Sequence, residues 1–306
     1  MASALAGKTA LITGSSRGIG RGIAQRLAAE GATVVVSARS RSVSPSVRAD
    51  TATSLPGTVD ETAALIEAAG GRAVVITADI TDPADRERLV RETVEQTGRL
   101  DILINNAGYA DYSVVSDMSM ATFDRTVEHY LRAPFALSQA AIPHMRSAGA
   151  GWIVNIGSST GLDPIRPFRE YNRDAGDVVY ASMKAALHRF SQGLAAELVD
   201  DNIAVNVVGP STAIMTPGAA ALIPEGFETE SVEYLAETVL AMCVRPASER
   251  TGLVTFSLHY PWDTELEVHS LDGSSVLPRL EPPSWSNPNI RPDGIGETVR
   301  ARVSVD

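Results

Sequence analysis

Seven short runs rich in β-branched residues punctuate the chain, and most are followed by a longer segment with apolar residues at helical spacing. The runs are "KTALIT" (8–13), "TVVVSA" (33–38), "AVVITA" (73–78), "DILIN" (101–105), "GWIVNIG" (151–157), "IAVNVV" (203–208) and "GLVTFSL" (252–258). Several are apolar on both faces, as a strand covered by helices on each side must be. Repeated β-α-β crossovers place helices on both sides of one sheet. The alternation therefore predicts an α/β fold with a doubly wound, mostly parallel sheet of about seven strands. Helix ends are marked as well. Gly31, Gly70 and Gly98 stand where C-capping glycines belong, and Asp82-Pro83 reads as an N-cap with proline at the first helical position.

Three stretches break this rhythm: a polar connection at 40–57, another at 162–178, and a Pro-, Ser- and Asn-rich tail from about 259. Long loops in compact domains are usually functional or disordered. The tail is short and lacks clear helical periodicity, so it is expected to pack as an irregular extension (259–306) on one domain formed by residues 1–258.

Composition narrows the function classes. With 44% hydrophobic residues the chain can bury a sizeable core, and a net charge of −11 argues against nucleic acid or an anionic membrane as partner. No charged segment precedes an apolar one at the start, and no apolar run reaches membrane-spanning length. A soluble, cytoplasmic protein is expected. The lone Cys243 lies in an apolar helical pattern and reads as a buried hydrophobe. The histidines at 129, 144, 188, 259 and 269 show no ligand spacing, so no metal is expected.

The first run leads directly into "TGSSRGIG" (13–20). A strand, a glycine-rich turn and a helix start together make an anion site, because free backbone N–H groups converge there with the helix dipole. The spacing is Gly-x-x-x-Gly-x-Gly, not the Gly-x-Gly-x-x-Gly dinucleotide fingerprint, so the turn alone does not settle the ligand.

The order of further motifs carries more. "TGSSRGIG", "ADIT" (78–81), "NNAG" (105–108), a serine in "NIGSSTG" (155–161) and "YASMK" (180–184) resemble, in sequence order, the short-chain dehydrogenase/reductase family over roughly residues 5–258. "LPGTVDETAALIEAAGGRA" (55–73) and "GPSTAIMT" (209–216) are similar to its hydroxysteroid dehydrogenase-like branch. The resemblance implies a Rossmann-like fold and a nicotinamide cofactor. It implies that Gly14, Ser15, Ser16, Arg17, Gly18, Ile19 and Gly20 surround the cofactor's phosphates and adenosine ribose. Asp79 and Ile80 match the adenine contact, Asn106, Ala107 and Gly108 run beneath the cofactor, and Pro210 and Ile214 complete the set with Tyr180 and Lys184. The second strand ends in "VVVSARS", with Arg39 and no acid. A carboxylate there would repel a 2′-phosphate, whereas Arg17 and Arg39 together favour one, so NADP(H) is expected over NAD(H).

Tyr180 and Lys184 are four apart, hence on one helix face. A neighbouring ammonium favours phenolate and moves a tyrosine from its usual pKa of about 10 towards neutrality. The resemblance makes Tyr180 the general acid/base and Ser158 the second donor to the carbonyl oxygen, in a reaction that interconverts a small carbonyl compound and its alcohol. It also implies a homodimer or homotetramer, paired through the long helices at 120–146 and 178–200. Four features depart from the family pattern. Tyr130 stands where the family has a fourth catalytic residue, an asparagine, and a phenol is not expected to bend its helix in the same way. The Ser158-to-Tyr180 interval is longer by roughly one inserted loop, expected to form a lid over an apolar substrate with Ile165, Phe168 and Tyr171 as apolar surface and Arg166, Arg169 and Arg173 as polar. Pro210-Ser211 replaces Pro-Gly, and the tail replaces the usual ending. The alternative, kept open by Tyr130, is an NADP-binding regulatory or scaffold protein with little turnover.

Overall fold

The computed structural model describes residues 3–43, 45–48, 51–168 and 170–295; within these, the side chains at 45–48, 51–53, 170 and 171 lie outside the description. The strands are β1 (Thr9–Thr13), β2 (Thr33–Ser37), β3 (Pro45–Arg48), β4 (Thr51–Ser54), β5 (Arg72–Val75), β6 (Ile102–Asn105), β7 (Gly151–Ile156), β8 (Ile203–Gly209), β9 (Ala213–Ile214), β10 (Thr229–Glu230) and β11 (Val254–Phe256). Seven of them form one sheet in the order β11-β8-β7-β6-β1-β2-β5, every pairing parallel. All seven expected runs are in it. The connection at 40–57 is more regular than its polar composition suggests, since β3 and β4 pair as an antiparallel hairpin.

The helices are α1 (Gly18–Ala29), α2 (Val59–Ala68), α3 (Pro83–Thr97), α4 (Met120–Val127), α5 (Ala133–Ala148), α6 (Glu170–Asp174), α7 (Val178–Leu198), α8 (Val232–Met242) and α9 (His259–Thr264). Period-2 alternation in the strands sorts the core into two layers. Ala10, Ile12, Val34, Val36, Ile102 and Ile104 pack with α1, α2 and α8, whereas Leu11, Val35, Leu103, Ile153 and Val205 pack with α3, α5 and α7. Helix punctuation follows the sequence. Gly31, Gly70 and Gly98 all take positive φ at or just after their helix ends, and the Asp82 side chain accepts from the Ala84 N–H with Pro83 in the first turn.

A buried polar chain fixes α7 against the sheet. Asn105 Nδ2 donates to Asn155 Oδ1 at 2.8 Å, Asn155 Nδ2 donates to Ser191 Oγ at 2.8 Å, and Ser191 Oγ donates to the Leu187 carbonyl at 2.7 Å. The chain links β6 and β7 to the helix that carries Tyr180 and Lys184, so their height above the sheet is set by hydrogen bonds as well as by packing. From β1 the chain winds outward to β2 and β5, then returns to β6 on the other side of β1. That reversal leaves a crevice at the carboxyl ends of β1 and β6, where ligands bind in open sheets of this kind.

Candidate active site

At the crevice, Thr13 Oγ1 accepts from the backbone N–H groups of Asn106 and Ala107 at 3.1 Å each, and Asn106 Nδ2 donates to the carbonyls of Thr13 and Gly14 at 2.9 and 3.1 Å. The glycine turn is pressed against this stitch. A Cβ on Gly20 would stand 2.4 Å from the Gly14 carbonyl oxygen, and one on Gly14, where φ is +67°, would stand 2.7 Å from Ala107 Cα. Only glycine fits at either place. The turn delivers the amino end of α1, whose first turn holds no acidic residue, to a cavity of about 1100 Å³. A helix start free of carboxylates, with side chains absent where a ligand must approach closely, fits a phosphate-bearing cofactor.

Apart from Ser15, every expected site residue lines this one cavity, from Gly14, Ser16, Arg17, Gly18, Ile19 and Gly20 through Arg39, Asp79 and Ile80. Asn106, Ala107, Gly108, Ser158, Tyr180, Lys184, Pro210 and Ile214 line it too. Ser15 lies behind the lining: fully buried, its Oγ donates to the Ile12 carbonyl and accepts from the Ser37 N–H, both at 2.9 Å, which ties β1 to β2 beneath the loop. A small hydroxyl next to the turn carries no sequence signal separating these two uses.

Arg17 and Arg39 share one end of the cavity. Arg17 donates to the Leu55 carbonyl at 2.8 Å, and its guanidinium is held below its usual pKa by burial and then by the charges of Arg21 and Arg39. Mutual repulsion of this kind is relieved by an anion placed among the guanidiniums.

Ser158, Tyr180 and Lys184 line the cavity over β7 and the start of α7. Ser158 Oγ accepts from the Thr160 N–H at 3.3 Å and pairs with Thr160 Oγ1 at 2.9 Å, which orients it at the first turn after the strand. Lys184 is buried, donates to the Ile156 carbonyl at 2.6 Å, and has its pKa lowered to about 7 by desolvation. His188, one turn further along α7, accepts from the Ser158 N–H at 3.4 Å. Burial and then Lys184 lower its pKa to about 4, so it stays a neutral support at physiological pH. Its spacing of four from Lys184 was the available signal.

Tyr130 is central to this group. Its ring lies 4.2 Å from Lys184 Nζ and meets the Tyr180 ring edge-on at 5.1 Å between centroids. A cation over an aromatic face is stabilised as the charged form, against the desolvation that opposes it. The long helix expected at 120–146 opens at this point into a π turn, Glu128–Arg132, between α4 and α5. A tyrosine therefore accompanies a local widening of the helix here. Gly108 receives the ring: a Cβ there would stand 2.6 Å from Tyr130 Cε1.

The 162–178 segment contributes Leu162, Pro164, Ile165, Phe168, Asn172 and Arg173 to the cavity wall. Arg166 instead stacks its guanidinium over Phe168 at 5.1 Å. Arg169 lies outside the described residues, as does the Tyr171 side chain. Residues with no sequence signal as site residues join them: Tyr109, Tyr112, Leu222, Phe227, Trp285 and Asn287. Beneath the 210–216 stretch, Glu230 Oε1 accepts from Ser211 N–H at 2.9 Å and Ser257 Oγ at 2.7 Å. Its Oε2 is buried with no hydrogen-bond partner among the described residues, and burial raises its pKa to about 7.

Comparison with known proteins identifies the family. The profile of the family described as short chain dehydrogenase matches residues 8–224. The chain belongs to the short-chain dehydrogenase/reductase family. It is 38% identical over 206 residues to an uncharacterized oxidoreductase of Thermotoga maritima, covering 67% of this chain and 72% of that protein. It is 34% identical over 246 residues to hydroxysteroid dehydrogenase-like protein 2 of Danio rerio, covering 80% of this chain but 55% of the relative, so the chain spans about half of that protein's length. Among solved structures of the family, a metagenomic short-chain oxidoreductase in complex with NADP superposes with a TM-score of 0.65 at 26% identity, over 83% of this chain and 97% of that one. Family membership makes the chain an oxidoreductase with a nicotinamide-cofactor fold.

Two predictions follow from the packing and the charges. Tyr130→Phe keeps the ring contacts and is expected to remain within about 1.5 kcal/mol of wild type. Tyr130→Ala empties the space beside Lys184 and should cost about 3–5 kcal/mol, read from urea unfolding. A carboxyl with a raised folded pKa stabilises fully below its unfolded value of 4.5 and loses that contribution as pH climbs through about 7. Glu230→Gln keeps the acceptor without the charge, so its melting temperature should gain on wild type as pH rises from about 5 to 8.

Proposed function

We propose that the chain is an NADP(H)-dependent oxidoreductase that interconverts a ketone or aldehyde and the corresponding alcohol. The observation that carries this reading is that Ser158, Tyr180 and Lys184 line the same cavity as the glycine turn, Arg17 and Arg39. The amides at Ser16–Gly20 would hold the cofactor's diphosphate, Asp79 and Ile80 its adenine, and Asn106–Gly108, Pro210 and Ile214 the remainder. The two arginines would fork onto the 2′-phosphate, and the absence of an acid between Ser37 and Arg39 removes what would repel it.

When bound, the cofactor supplies a hydride to the carbonyl carbon or accepts one in the reverse direction. Ser158 Oγ, with the Thr160 amide on one lone pair, donates to the carbonyl oxygen. Tyr180 gives its proton to the same oxygen as negative charge develops there. The Lys184 ammonium favours the phenolate left behind, and its bond to the Ile156 carbonyl fixes where that charge sits. The apolar side chains of 162–178 would act as a lid that excludes water and favours an apolar substrate. In this reading residues 1–258 form the catalytic domain and 259–306 its extension. The exposed Phe135 of α5 packs on Phe190 of α7 at 6.0 Å, which suits pairing of two subunits through these helices. Light scattering at micromolar concentration is expected to give a dimer or tetramer mass, and a monomer mass would oppose this.

NADPH oxidation across a carbonyl panel tests the central reading. Tyr180→Phe is expected to remove nearly all turnover and to keep cofactor binding. Cofactor binding by the wild type without oxidation of NADPH would instead favour the regulatory alternative. Charge-assisted bonds to phosphate predict that Arg39→Ala weakens NADPH by about one to two decades and leaves NADH nearly unchanged, as measured by titration. Equal wild-type affinity for the two cofactors would contradict the 2′-phosphate site.

A further inference from the structure

The tail after α9 returns to the cavity. Trp285 and Asn287 line it together with Tyr180 and Ser158. The Trp285 ring meets Phe227 edge-on at 5.3 Å between centroids, and its Nε1 donates to Glu228 Oε2 at 3.3 Å. Two residues on, Asn287 Nδ2 donates to the Asp163 carbonyl at 3.2 Å, and Asn289 Nδ2 donates to the same oxygen at 3.1 Å. Asp163 is the second residue of the insertion that follows Ser158. The tail thus bridges both rims of the cavity, the 215–231 side through Trp285 and the 162–178 side through the two asparagines.

The bridge is anchored at both ends. Upstream, Tyr234 of α8 donates its hydroxyl to the Pro278 carbonyl at 2.6 Å. Downstream, Ile290 is buried, and Gly294 lies so close to β11 that a Cβ there would stand 2.8 Å from Thr255 Cγ2. A segment held at both ends presents its side chains at little further entropic cost.

The wall it completes is rich in aromatic side chains. Among the described residues, seven Phe, Tyr and Trp side chains line this one cavity. Besides Tyr130 and Tyr180 these are Tyr109, Tyr112, Phe168, Phe227 and Trp285, and the Tyr112 ring stands 5.4 Å from that of Tyr180. Rings in offset or edge-on arrays accept a further flat ring well and discriminate against small aliphatic groups by lost area.

We propose that Trp285 is a specificity-determining residue that, with Phe227 and Phe168, selects carbonyl compounds bearing a planar ring system, and that Asn287 and Asn289 position this wall against the insertion. The inference rests on the carbonyl reading above and extends it to the substrate class.

The test uses the full chain with saturating NADPH and three probes of increasing ring area: cyclohexanone, α-tetralone and benzophenone. Wild type is expected to prefer the two aromatic ketones. Trp285→Ala should lower kcat/KM for them about 10–100-fold more than for cyclohexanone, mainly through KM, with NADPH affinity retained. Trp285→Phe should keep most of the preference, and the double variant Asn287→Ala/Asn289→Ala should raise KM for the aromatic probes. Calorimetric titration of the same ketones into the NADP⁺-saturated protein gives a readout independent of turnover. If no ketone oxidises NADPH, the carbonyl reading fails, and the titration still decides the role of Trp285. Aromatic ketones bound no tighter than cyclohexanone by wild type, or a preference unchanged in Trp285→Ala, would overturn the proposal.

Discussion

The hydrogen bonds between Thr13 and Asn106 hold the carboxyl ends of two neighbouring strands at the point where the sheet reverses its winding. Everything above them depends on that spacing. The strand ends cannot close on one another, because the glycine turn fills the gap backbone to backbone, with no room for a Cβ on Gly14 or Gly20. The stitch therefore fixes the turn, the turn fixes the start of α1, and that start aims its amides into the cavity. Ser15, fully buried and bonded to both β1 and β2, completes the same support from below.

A second constraint is the burial of Lys184. An ammonium taken from water is disfavoured, and this one has its pKa lowered to about 7 by that cost. The Ile156 carbonyl and the face of Tyr130 act in the opposite direction. Both contacts favour the ammonium form against the desolvation that disfavours it. His188 adds no competing positive charge, since the same burial keeps it neutral. Burial beside α7 thus acts on both Lys184 and His188, lowering the pKa of each.

Much of this was legible in the sequence. Strand runs apolar on both faces predicted the parallel sheet because covered strands must be apolar on both faces, and all seven runs entered it. The glycine turn and the Tyr-x-x-x-Lys spacing predicted cavity residues because each is a local geometry, fixed within a few positions. What stayed hidden is long-range. Phe227, Trp285 and Asn287 reach the cavity from segments without periodicity, and nothing near them in sequence states which way the chain turns. The π turn at Glu128–Arg132 was hidden for another reason, since neither residue type nor apolar spacing distinguishes it from ordinary helix.

Ser211 and the tail, two features expected from the sequence to depart from the family pattern, look unrelated in sequence and are hydrogen-bonded to one another in the structure. Ser211 Oγ accepts from the Leu258 N–H at 2.9 Å and pairs with His259 Nδ1 at 2.9 Å, so its hydroxyl bonds the root of the tail. A glycine at 211 would leave the Leu258 N–H and the His259 ring, whose pKa burial lowers to about 4, without that partner. Glu230 accepts from the backbone of the same serine and from Ser257, which precedes the tail root by one residue. The stretch at 210–216 is thereby coupled to the start of the tail through Ser211, Glu230 and Ser257, while the far part of the tail reaches the insertion after Ser158. Each rim of the cavity is tied to the extension at a different point along it.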